Sequence, residues 1–168
     1  MATLEELNGW ETPEAARALE RCCGASRWVA RMLDSRPFVD VTHLHTRADE
    51  VWAQMGEVDI LEAFSHHPRI GDLQSLQKKF ATTAQWASGE QGGVSGAAGD
   101  ILEALAEGNR RYEEKFGYIF IVCATGKSAA EMLELLTLRL PHDPGQELAI
   151  AAAEQAKITH IRLEKLLS

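Results

Sequence analysis

The chain has 168 residues, a net charge of −8 and 45% apolar residues. That length fits a single domain spanning residues 1–168 with one core, and the acidic balance supplies no basic face for nucleic acid. The longest apolar run, Tyr118 to Ala124, has seven residues, too few to cross a bilayer, so no membrane partner is expected.

In chain order the pattern is helical. Thr12-Pro13 reads as an N-cap with proline at the first helical position, and Gly24 closes that segment. Ser26 can cap a second helix that turns Val29, Met32 and Leu33 inward and stops before Pro37. A third carries Leu44, Ala48, Val51, Trp52 and Met55 at helical spacing. A fourth starts near Glu57, buries Ile60, Leu61 and Phe64, and ends near His66, because Pro68 disfavours helical geometry at His67. From Ser95 a longer helix uses Ile101, Leu102, Leu105 and Tyr112 and ends at Gly117. Ser128-Ala-Ala-Glu131 is a capping box that opens a helix ended by Pro141, with Met132, Leu135 and Leu136 inward. Asp143-Pro144 caps the last helix, which runs to about Leu167. The expectation is a compact all-α, single-domain bundle of about seven helices. Tyr118–Ala124 is the exception, a β-branched and aromatic stretch read as one short extended segment or a buried loop.

The three cysteines are Cys22, Cys23 and Cys123. An odd count with two adjacent is no disulfide framework, so a reduced, cytoplasmic protein is expected. The N-terminal Met-Ala-Thr-Leu-Glu-Glu lacks the positive region of a secretory signal, and the chain ends Leu-Leu-Ser without a peroxisomal Ser-Lys-Leu.

Three places look chemical. In Ser65-His66-His67-Pro68-Arg69-Ile70-Gly71-Asp72, His67 precedes a proline and is held extended, and Gly71 permits a sharp turn after it. That suits a side chain aimed into a cleft, although an ordinary helix exit with solvated histidines uses the same turn chemistry. In Trp86-Ala-Ser-Gly-Glu90-Gln91-Gly92-Gly93, a carboxylate and an amide sit side by side among glycines. The pair offers mixed donors and acceptors to a ligand, or forms a polar loop. On the last helix Arg162 falls within a stripe of Leu148, Gln155, Ile158, Thr159 and Leu166. An arginine there either meets an anion, from protein or ligand, or snorkels at the rim.

Taken together, these residues resemble the 2-oxo-4-hydroxy-4-carboxy-5-ureidoimidazoline (OHCU) decarboxylase family. The likeness runs from Leu7-Asn8 through Ser35-Arg36-Pro37-Phe38, His67-Pro68-Arg69-Ile70-Gly71 and Glu90-Gln91. It continues through Phe116-Gly117-Tyr118-Ile119-Phe120-Ile121-Val122-Cys123-Ala124 and Gly126-Lys127-Ser128-Ala129 to Arg162-Leu163. The resemblance implies a decarboxylase forming (S)-allantoin in urate degradation. His67 would be its catalytic histidine and proton donor, with Glu90 and Arg162 beside it at the catalytic centre. Pro68, Glu90 and Gln91 would contact substrate, Arg162 would orient an anionic group, and Phe120, Ile121, Val122, Cys123 and Ala124 would line the site and offer main-chain hydrogen bonds. Family members often carry a serine three residues before the glutamate, where this chain has Ala87. Either Ser88 substitutes after a small loop shift, or one hydroxyl contact is missing. The resemblance also implies a homodimer, to which the four tryptophans and apolar helices could lend surface.

No metal or other cofactor is expected. The resembled substrate has a C=N bond beside its carboxylated carbon and can hold the released electron pair itself, which other decarboxylases assign to a cofactor. Two other readings fit parts of the chain. A metal-dependent hydrolase of a small cyclic amide would draw on His43-x-His45 and His66-His67, but positions i and i+2 of a helix face apart. A non-catalytic helical binding module would use the acidic surface, yet a charged face is usually a solvated one.

Overall fold

The structure, a computed structural model, describes residues 2–69, 72–80 and 92–168, the last segment without side chains for 92–98. Among the described residues there are nine helices and no strand: α1 Leu4–Gly9, α2 Thr12–Cys22, α3 Ser26–Asp34, α4 Val41–Trp52, α5 Glu57–Ser65, α6 Leu73–Phe80, α7 Gly92–Phe116, α8 Ala129–Arg139 and α9 Pro144–Leu166. The all-α class is as expected, and among the described residues no helix is long and apolar enough to cross a membrane. The two helices beyond the expected seven are α1 and α6. The first had a readable signal, because Thr3 and Glu6 form a reciprocal capping box. The second starts just beyond the Pro68–Gly71 turn that the sequence reading treated as a loop.

Several boundaries move. The N-cap of α2 is Glu11 rather than Thr12, which places Pro13 at the second helical position, and the helix closes at Cys23 rather than Gly24. Ala25, not Ser26, caps α3, because the Ser26 amide and hydroxyl both donate to Glu62 instead. Met55 lies past the end of α4, and Leu61 is exposed while Ala63 and Phe64 face the core of α5. The long helix begins at Gly92, before Ser95, and ends where Gly117 takes φ +84°, a left-handed geometry that glycine adopts at little cost. Tyr118–Ala124 carries neither helix nor strand, and burial alternates along it: Ile121 and Cys123 are buried, whereas Phe120, Val122 and Ala124 are half-buried. That period of two is what extended backbone imposes.

The chain divides into two compact units. The first comprises Met1–His67, Ile121–Cys123 and Ala151–Ser168. Its core gathers Leu7, Leu19, Trp28, Met32, Leu44, Val51 and Leu163, all fully buried, with Cys22 and Cys23 among them. Each such leucine contributes about 1.5–3 kcal/mol by leaving water. Three of the four tryptophans meet this core: Trp28 is wholly enclosed and donates to the Ala48 carbonyl, while Trp10 and Trp52, half-buried, pack against the cluster, and Trp86 lies outside the described residues. The peptide bond between Arg36 and Pro37 is cis.

The second unit comprises Pro68–Phe120 and Ala124–Ile150. Gly108 of α7 lets α8 approach closely, since a Cβ there would stand 2.5 Å from a Leu136 methyl. At its centre the carboxylate of Glu147, with no exposed surface, accepts from Arg139 Nε at 2.7 Å and from the Tyr112 hydroxyl, while His142 Nδ1 lies 3.1 Å from its other oxygen. The Arg139 guanidinium lies 4.5 Å over the Phe120 ring, which also meets Tyr112 edge-on at 5.2 Å. Burial, with the hydrogen bond to Glu147, pushes the Tyr112 hydroxyl well above its ordinary pKa. A buried ion pair of this kind adds little net stability, but removing one partner strands the other charge in a dry environment. Glu147→Ala is therefore expected to lower unfolding free energy by about 3–5 kcal/mol in urea titration. An unchanged midpoint would show that water already solvates Arg139.

Candidate active site

His67 is delivered by the end of α5. His66 is its C-cap, and the His66 and His67 amides close the last turn on the carbonyls of Ala63 and Phe64, each at 3.2 Å. The two histidines then diverge. The His66 side chain is exposed and lies 3.8 Å from Glu20, whereas that of His67 is half-buried. Gly24 sets this divergence: a Cβ there would come within 2.4 Å of the His66 ring, so only a bare backbone lets the chain after α2 pass beneath it.

The last helix supplies the partners. Its buried positions within the first unit are Ala151, Gln155, Thr159 and Leu163, an i, i+4 series. The stripe named from sequence shifts accordingly: Gln155 and Thr159 belong to it, Leu163 joins it, and Leu148, Ile158 and Leu166 are only half-buried at its margin. Gln155 Oε1 hydrogen-bonds His67 Nε2, and Gln155 Nε2 donates to Thr159 Oγ1 at 3.1 Å. Arg162 is half-buried at the edge of the series. It donates to the Arg21 carbonyl at 3.3 Å, satisfying an orphan acceptor of the last turn of α2, and its other terminal nitrogen lies 3.5 Å from His67 Nδ1. Among the described residues no carboxylate pairs with Arg162. The group that sequence reasoning required to meet its charge is thus not among the described protein anions.

This setting governs protonation. Burial, most of all, holds the His67 imidazole below its ordinary pKa, and the neighbouring Arg162 cation pushes in the same direction, against the hydrogen bond from Gln155. Behind the site, burial drives the Cys22 and Cys23 thiols up to about 11, so both are protonated and poor nucleophiles at neutral pH.

The extended segment enters the first unit through Ile121–Cys123. The Cys123 amide donates to Glu154 Oε1 at 3.0 Å, and the other oxygen of that carboxylate takes Lys157 at 2.6 Å. Ile121 and Cys123 direct their side chains into the interior, so the Cys123 amide is already spoken for within the unit. Pro68, exposed, and Phe120 and Ala124, half-buried, are counted in the second unit. Glu90, Gln91 and Ser88, with Ile70 and Gly71 of the histidine motif, lie outside the described residues. The structure therefore brings together His67 and Arg162 from the predicted set and adds Gln155 and Thr159, which sequence reasoning had not linked to the histidine, while Glu154 ties the extended segment to the same helix. A signal was present: a buried amide on an otherwise apolar stripe needs a partner. The histidines considered for metal go separate ways on α4. His43 Nδ1 accepts from the Val39 amide at 3.0 Å, and His45 stacks on His160.

Three comparisons bear on this arrangement. The family model described as OHCU decarboxylase matches residues 8–164. The uric acid degradation bifunctional protein TTL of Arabidopsis thaliana is 40% identical over 147 residues, which cover 88% of this chain and 45% of that protein. A crystal structure of OHCU decarboxylase in the presence of (S)-allantoin superposes with a TM-score of 0.72 at 39% identity, covering 94% of this chain and 99% of the other. The chain spans only 32–45% of the length of the bifunctional relatives it matches.

Titration of His67 checks the electrostatics directly. Its NMR midpoint is expected below 6.5, and Arg162→Leu should raise it by removing the cation. The sign for stability follows. The folded state disfavours the charged ring, so the site is neutral with respect to pH above about 6.5 and loses stability as pH falls below that, where the unfolded chain binds the proton more readily. A midpoint above 6.5 would mean that an undescribed anion dominates the ring.

Proposed function

The chain belongs to the OHCU decarboxylase family, and from that premise we propose that it decarboxylates 2-oxo-4-hydroxy-4-carboxy-5-ureidoimidazoline to (S)-allantoin as a step of urate degradation. The observation that carries the reading is a half-buried imidazole with an arginine 3.5 Å from it whose charge meets no described carboxylate. A cation left without a protein anion beside a proton carrier suits an anionic substrate.

In this reading the Arg162 guanidinium holds the substrate carboxylate next to His67. The bond from the ring carbon to the carboxylate breaks and carbon dioxide leaves. The electron pair enters the adjacent C=N system of the imidazoline, so no cofactor is needed as a sink. One proton is taken up overall, and His67 carries it to one face of the ring, which yields a single enantiomer. Neutral in its resting state and titrating near neutrality, an imidazole can both accept and return that proton. Glu90 joins His67 and Arg162 at the centre. Glu90, Gln91, Pro68 and Ser88 contact the ring and ureido groups, and Phe120–Ala124 lines the site; these roles rest on the family resemblance. The family match runs across both units, which supports one functional domain. The protein acts in the cytoplasm as a homodimer, a reading supported by the three buried free cysteines for the first point and by the resemblance for the second.

The test is circular dichroism of allantoin formed from freshly generated precursor, with and without the protein. Accelerated appearance of the (S) signal is expected, and a signal that grows no faster than spontaneous decay would refute the activity. Two substitutions check the roles. His67→Asn should lower kcat by about 10²–10⁴-fold with the fold intact, whereas His66→Asn should change it by less than about tenfold. The reverse pattern would move the site to His66. Arg162→Ala should raise KM while the melting temperature stays near wild type. A loss of about 3–5 kcal/mol would instead reveal a structural ion pair.

A further inference from the structure

The hydrogen bonds around His67 have a direction that its neighbours impose. Arginine carries donors only, so the guanidinium 3.5 Å from Nδ1 favours a bare lone pair on that nitrogen. The proton of the neutral ring then sits on Nε2. The group facing Nε2 must be an acceptor, and Gln155 presents Oε1 there. Its amide nitrogen is turned the other way and donates to Thr159 Oγ1 at 3.1 Å. Gln155 and Thr159 are 1% and 5% exposed, so water does not offer these groups other partners. Flipping the Gln155 amide would set its N–H against the Nε2 proton, or drive that proton to Nδ1 against the Arg162 donors. The first sets two donors face to face beside the buried Gln155 and Thr159, and the second sets them face to face at the half-buried edge of the site.

We propose that Gln155 is a positioning residue for the reaction: it locks His67 as the Nε2–H tautomer and fixes the ring, so that Nδ1 is the nitrogen that takes up and returns the proton once the substrate carboxylate has drawn the Arg162 donors to itself. The catalytic half of this statement rests on the decarboxylase reading, and the tautomer half does not. An orienting acceptor on the far nitrogen is a general means of keeping an imidazole in one working state.

Nitrogen-15 NMR of histidine-labelled, full-length protein at a pH above the His67 midpoint tests it. Wild type is expected to show His67 as the Nε2–H form. Gln155→Leu, which keeps the volume and removes the acceptor, should mix the tautomers and lower kcat about tenfold or more, with KM close to wild type; that loss is a share of the about 10²–10⁴-fold that proton transfer contributes. Gln155→Glu keeps the acceptor and adds charge, so it should retain the Nε2–H form while moving the midpoint and the matching limb of the pH–rate profile upward. An Nδ1–H signature in wild type overturns the proposal, as does a Gln155→Leu protein with wild-type tautomer and kcat. If Gln155→Leu does not fold, the wild-type spectrum and the Gln155→Glu profile still decide. A correct tautomer in a protein that does not accelerate decarboxylation would overturn the assigned activity and leave the role of Gln155 in setting the ring intact.

Discussion

An arginine beside a neutral imidazole is the constraint on which the site depends. Burial, first of all, holds the His67 ring below its ordinary pKa, and the Arg162 cation beside it pushes in the same direction. Everything around the pair serves this arrangement. The α2 carbonyl of Arg21 fixes one end of the guanidinium, and Gln155 holds the far side of the ring. The last helix supplies both Gln155 and Arg162, seven residues apart and thus about two turns along one side. The site's precision within the first unit therefore comes from the rigidity of a single helix meeting the end of α5.

The second unit organises itself around a different kind of charge. Glu147 and Arg139 are enclosed together, with Tyr112 and His142 completing the shell. There each charge has its protein partner. The contrast with Arg162 carries information: one arginine is built into the structure by a buried carboxylate, and the other is left facing none that is described. Burial combined with pairing marks a structural group, whereas a half-buried arginine without a described counter-ion is what the proposed role in holding an anionic substrate would use.

Much of the fold was legible because helices announce their ends. The Ser128–Glu131 box and the Asp143 cap act as read, with Gln146 donating to Asp143 at 2.9 Å. The departures have local causes. Ser26 and Thr12 carry the right chemistry for capping, but Glu62 claims the first and Glu11 precedes the second, and neither competitor is visible from helix propensity. Leu61 looked interior because α5 is apolar on more than one side, and periodicity over nine residues leaves the facing direction loosely determined. For the site, His67 and Arg162 stood out as residues with an awkward setting. Gln155 and Glu154 did not, since their meaning lies in partners 88 and 31 residues away along the chain. Spacing rules reach along a helix or a turn and stop there.

The close passage at Gly24 has a consequence for how this family of folds tolerates change. Position 24 holds no functional group and lies 43 residues before His67, yet a single added methyl would meet the His66 ring at 2.4 Å. Relief has to come either from the turn that carries the histidine pair or from the chain between α2 and α3. Substitution there would strike the root of the His66 side chain, its Cβ at 2.6 Å, and not a flexible tip, so backbone must give, and on the turn His67 is the next residue along.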